Sequence, residues 1–100
     1  MKKILFFGVF LFLGTFVLFA QTVTAVNQSG ETIVEMYISV ADTEDWEEDI
    51  LPGTLTNGQS VNIKLPHSGT WDFLAVGASG NQYYVLGVSI PPVNRINITR

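Results

Sequence analysis

Val61-Asn62-Ile63-Lys64-Leu65-Pro66-His67-Ser68-Gly69-Thr70-Trp71-Asp72-Phe73-Leu74-Ala75-Val76 is the stretch that decides the fold class. Val61, Ile63 and Leu65 alternate with Asn62 and Lys64, the mark of a half-buried strand with one wet face. Pro66, His67, Ser68 and Gly69 form a turn cluster. Trp71, Phe73 and Ala75 then fall on one face of a second strand, with Asp72, Leu74 and Val76 on the other. The period is two, and side chains in a strand alternate between faces with that period.

The same period extends in both directions. Residues 22–27 read as a first strand, and Asn27-Gln28-Ser29-Gly30 as a turn whose Asn and Gly tolerate positive φ. Residues 32–40 place Val34, Met36, Ile38 and Val40 on one face, and Ile33, Glu35, Tyr37 and Ser39 on the other. Asn57-Gly58 marks a turn before residue 61. Beyond residue 76, Gly77-Ala78-Ser79-Gly80-Asn81 is a loop into a strand over 82–90. Pro91-Pro92 ends that strand, and Ile96 and Ile98 alternate with Arg95, Asn97 and Thr99 in a last one. Six or seven short strands with turns every 8–12 residues imply an all-β fold. The expected form is a small antiparallel β-sandwich, immunoglobulin- or transthyretin-like, with one short helical or loop insert around 42–51. A partly open barrel is the competing architecture.

The first twenty residues read differently. Lys2 and Lys3 precede a near-continuous apolar run from Ile4 to Phe19, and polar residues begin at Gln21. That is the layout of a signal peptide, with cleavage expected after Ala20, or alternatively after Ala25. The run is shorter than the ~20 residues of a spanning helix, so no stable membrane span is expected after cleavage, although an uncleaved anchor is the alternative. Residues 21–100 then form one domain. A domain this small buries only about 60% of its unfolded surface. The chain has no cysteine, which excludes a lipoprotein and any disulfide. A secreted or periplasmic bacterial protein is expected. Once Lys2 and Lys3 are removed, Lys64, Arg95 and Arg100 face nine carboxylates, a net charge of −6. Nucleic acid is therefore not an expected partner, because phosphate binding needs clustered Lys and Arg.

Six of those nine carboxylates lie between Asp42 and Asp49. The expected structure there is a short solvated helix, N-capped by Asp42 or Thr43 and stopped by Pro52-Gly53. Trp46 and Ile50, four apart, would share a face and plug the end of the core. The functional alternative is a calcium site with Asp42, Glu44, Asp45 and Asp49 as ligands, since Ca²⁺ takes six to eight oxygens. The spacing lacks the EF-hand glycine. A third reading is an acidic docking surface for a basic partner.

Other chemistry is sparse. His67 is the only histidine, so no histidine-cysteine metal set exists and no other imidazole base is available to a serine. Gly77-Ala78-Ser79-Gly80 is not a Gly-x-Ser-x-Gly elbow. No catalytic residue and no cofactor is expected. Trp46, Trp71, Tyr83 and Tyr84 are candidate aromatics for binding sugar or peptide, with a core role as the simpler reading. Asp72 is expected to face outward or, alternatively, to anchor a neighbouring turn. Asn27-Gln28-Ser29 and Asn97-Ile98-Thr99 match the glycosylation sequon, which a bacterial exporter would usually leave unmodified.

The order Asn27-x-Ser29-Gly30, Tyr37-Ile38-Ser39, Trp46, Asp49-Ile50-Leu51, Leu55-x-x-Gly58-x-Ser60, Trp71-Asp72 and Gly80-Asn81-Gln82-Tyr83 resembles a family of small exported bacterial domains without assigned activity. Glu47 stands where that family has a glycine. The resemblance implies a β-sandwich and export, and carries over no catalytic residue. The functional expectation is an exported non-enzymatic module that binds an unknown protein, or serves a structural role, at the cell envelope. Alternatives are a calcium-stabilised adhesion module and a secreted ligand binder or protease inhibitor using loops at one end of the sandwich. In the inhibitor reading the loops 27–30 and 77–80 echo immunoglobulin-like bacterial inhibitors of cysteine proteases, without their threonine pair or glycine doublet.

Overall fold

A computed structural model describes residues 4–5, 21–43 and 45–100. The expected signal peptide lies outside the described residues apart from Ile4 and Leu5, as does Glu44. Among the described residues eight strands run in chain order: β1 (Ile4–Leu5), β2 (Gln21–Gln28), β3 (Ile33–Val40), β4 (Asp45–Trp46), β5 (Ser60–Leu65), β6 (Gly69–Gly77), β7 (Gln82–Ile90) and β8 (Arg95–Thr99). They form two three-stranded sheets, ordered β5-β2-β8 and β3-β6-β7, and a two-residue parallel pair of β1 with β4. Among the described residues there is no helix, and hence none long and apolar enough to cross a membrane.

The alternation read over 61–65, 71–76 and 95–99 matches the inner faces of β5, β6 and β8. Val23 and Ala25 of β2, Ile63 and Leu65 of β5, and Ile96 and Ile98 of β8 bury against Met36 and Ile38 of β3, Trp71, Phe73 and Ala75 of β6, and Tyr83 and Ile90 of β7. The two sheets thus enclose one core in a β-sandwich-like arrangement.

Four features depart from the reading above. First, β2 pairs antiparallel with β5 but parallel with β8, so the fold is not purely antiparallel. It also puts the first domain strand at the centre of its sheet. Second, a bulge between Ile33 and Glu35 inserts an extra residue in β3. Ile33 thereby turns inward with Met36 and Ile38, and Val34 leaves the face that simple alternation assigned it.

Third, the insert expected around 42–51 as helix or loop takes the loop form, and the solvated helix preferred for it is absent. Asp42 has φ +78°, which no helix admits. Glu47 N–H donates to Ile38 O (3.2 Å) and Ile50 N–H to Met36 O (2.8 Å), so the segment runs as an irregular strip along the β3 edge. Asp49 Oδ1 accepts from Met36 N–H (2.9 Å) and Leu51 N–H (3.0 Å), the local side-chain bonding that competes with helix formation. Closely spaced like charges weaken a helix further. Trp46 is buried, as expected, but it lies outside the main core cluster. Its ring stands 6.4 Å from that of Tyr84 on β7. Since β6 separates β3 from β7, the indole lies over the outer face of β6, which explains why Ser39, Asp72 and Leu74 on that face are buried.

Fourth, Asp72 is 2% exposed, and is the buried anchor, not the outward carboxylate. The β6–β7 register slips between Trp71 and Phe73, placing an extra residue in β7. Gly87, at φ +68°, occupies that bulge, and its N–H donates to Asp72 Oδ1 at 2.8 Å. A glycine suits the left-handed backbone there.

Candidate functional site

The described side-chain chemistry converges at one end of the sheets, around two polar hubs. The first is Asn27, at the end of β2 and fully buried. Its Nδ2 donates to Glu31 O and Leu55 O, both at 2.8 Å. Its Oδ1 accepts from Ser29 N–H (3.0 Å) and Ser29 Oγ (2.7 Å). An amide offers two donors and two acceptor sites, and here all four are used. The side chain thus stitches the 27–31 turn to the 54–58 loop, and Gly30 N–H adds a bond to Asn57 Oδ1 at 2.9 Å.

The second hub is Glu31. Its carboxylate accepts from Ser79 N–H and Ser79 Oγ (3.0 Å each), from Asn81 Nδ2 (3.1 Å) and from the Tyr83 hydroxyl. These donors lie 48 to 52 positions away and fix the β6–β7 loop onto the 27–31 turn. Hydrogen bonds to the ionised form favour it. Tyr83 foremost, then Ser79, hold the Glu31 carboxyl down at about 2. The same bond, with burial, pushes the Tyr83 phenol up. Gly77 makes room for this arrangement, since a Cβ there would sit 2.3 Å from Glu31 Cδ.

Arg100 completes the rim, its Nε donating to Ser29 O at 2.9 Å. Two open hollows flank it. One, of about 440 Å³, is lined by Asn27, Gln28, Ser29, Gly30, Asn57, Gly58 and Arg100. The other, of about 570 Å³, is lined by Asn81, Gln82, Tyr83, Tyr84, Thr99 and Arg100. Their walls offer amide, hydroxyl and guanidinium groups, a lining suited to hydrogen-bonded recognition of a polar surface.

The sequence candidates are dispersed. Trp71 and Tyr83 are core residues and Trp46 is buried, whereas Tyr84 is 49% exposed, so the four aromatics form no common platform. Among the described residues no three His, Cys, Asp or Glu side chains gather into a metal-holding group, and Asp49 is engaged with backbone amides. His67 sits in an exposed turn, its Nδ1 2.7 Å from Ser68 O and its ring 5.0 Å from Trp71. It precedes β6 and Ser79 follows it, so the nine-residue strand separates them by about 30 Å. Asn27 of the first sequon is buried in the folded chain, while Asn97 of the second is exposed on β8.

Glu31, Asn57 and Arg100 were not marked by sequence reasoning. Glu31 carries no motif, and its donors become neighbours only through the pairing of β3 with β6 and β6 with β7. No family model, curated protein or solved structure matches the chain.

Proposed function

We propose that this chain is an exported, non-enzymatic β-sandwich module, immunoglobulin- or transthyretin-like, that binds a partner protein at the cell envelope. The contact surface is the rim of residues 27–31, 56–58, 77–81 and Arg100. The observation that carries this reading is the cross-bonding of the rim, in which Asn27 and Glu31 tie three loops together. Loops on a rigid scaffold are the usual carriers of binding, and a surface already ordered loses less entropy when it docks. The signal-peptide pattern of residues 1–20 and the absence of cysteine support a secreted or periplasmic product without a lipid anchor.

The test expresses the full-length chain in a bacterial host, with a photo-crosslinking residue at exposed Gln28 or Ala78, and at Lys64 on β5 as control. The expected result is one discrete adduct from the two rim positions and none from Lys64, on a product whose N-terminus is Gln21. Equal labelling from all three positions, or none from either rim position, would overturn the reading.

A further inference from the structure

We propose that β7 is a self-pairing edge, through which two copies of the chain join antiparallel and merge their β3-β6-β7 sheets into one. The edge adjoins the rim, since Gln82, Tyr83 and Tyr84 also line the second hollow, but Leu86 lies outside that hollow and the test needs no partner protein.

The two ends of that sheet are treated differently. At the β3 end, Ile33 and Leu55 exchange both backbone hydrogen bonds (2.8 and 2.9 Å), and the 45–50 strip takes Ile38 O and Met36 O. At the β7 end, the ladder stops among the described residues. An uncovered strand edge is a template for another strand, and natural proteins guard such edges with charge or proline. β7 reads Gln82-Tyr83-Tyr84-Val85-Leu86-Gly87-Val88-Ser89-Ile90, nine residues without a charge, ended by Pro91-Pro92. The edges of the other sheet carry Lys64 on β5 and Arg95 on β8.

Charge selects the occupant. In a two-fold antiparallel pair the same strand meets itself, so a strand without charge pairs in any register without bringing like charges near one another. β5 and β8 each carry a cation that closes some of those registers, Lys64 and Arg95, whereas β7 carries none. The apolar surface points the same way. Tyr84 (49% exposed), Leu86 (51%) and, just beyond the strand, Val93 (37%) are the large exposed hydrophobics of the described chain. Two copies would cover Tyr84 and Leu86 against each other on one continuous outer face. The bulge at Leu86-Gly87 breaks the edge after Val85, leaving Gln82 to Val85 as its regular stretch. The pair is therefore small and reversible, and the bulge and prolines stop it from propagating. With net −6 on residues 21–100 of each copy, screening by salt strengthens it.

The test is sedimentation velocity on the soluble product of the full-length chain, over a concentration series at low and high salt. The expected result is a monomer–dimer equilibrium in the micromolar range, tightened by salt. Leu86→Lys weakens it by about tenfold or more, and Asn97→Lys on the β8 edge leaves it unchanged. Leu86 is half exposed, so the variant folds, as a matching near-ultraviolet dichroism spectrum would verify. In the wild type, amide exchange within β7 slows as concentration rises. A monomer at every concentration, a dimer indifferent to Leu86→Lys, or one dissolved by salt would overturn the proposal.

Discussion

The segment 42–49 holds six carboxylates in eight residues, while Glu31 has no acidic neighbour within three positions. In the folded chain Asp42, Asp45, Glu47, Glu48 and Asp49 are exposed, and the strip they belong to covers an edge strand. The solitary carboxylate gathers donors from Ser79, Asn81 and Tyr83 and fixes the geometry of the rim. Charge density along the chain reports how a segment is solvated. Convergence of donors depends on which strands are neighbours, and that is where a site is built.

The strongest way to break this contrast is at Trp46, the one buried side chain among the described residues of 42–49. Trp46→Ala should cost about 3–5 kcal/mol, the range for removing a large buried aromatic, measured by denaturant unfolding. If the strip were only a solvated appendage, the change would be near zero. Next comes Asp72→Ala, which leaves the Gly87 amide of the bulge without its acceptor and should cost about 1–3 kcal/mol. Smallest is the double change Glu47→Gln with Glu48→Gln. Both residues are exposed, and their neutralisation should move stability by no more than about 0.5 kcal/mol.

Much of the fold was legible. The alternation over 61–65, 71–76 and 95–99 placed inner-face residues because packing a two-layer core demands period two. What escaped were local departures from that period, the bulges at Val34 and Gly87, which add single residues that no pattern of apolar spacing reports. For the insert over 42–51, helix was preferred over loop because spacing alone could not see that Asp49 would bond the backbone of β3. The rim was barely legible. Asn27-Gln28-Ser29-Gly30 announced a turn, but nothing in it pointed to Leu55 or Glu31 as partners of Asn27. Asp72 was half seen, as the anchor alternative, since an acid beside a core tryptophan reads equally well as solvent-facing.

Acid separates the two regions directly. The Glu31 carboxyl is depressed from 4.5 to about 2, so its stabilising contribution is in place above about pH 4.5 and is lost as pH falls towards 2. Glu31→Gln should flatten the acid side of the stability profile in that window. Gly77→Ala, whose Cβ would displace the carboxylate from its donors, should raise the Glu31 midpoint without touching the residue itself.

Glu31 holds the 27–31 turn and the 77–81 loop together, and carbon-13 titration of that one side-chain carboxyl in the wild-type protein reads this directly. The expected midpoint is about 2. A midpoint at the ordinary value of 4.5 would mean that the four donors do not converge in solution, and would contradict it.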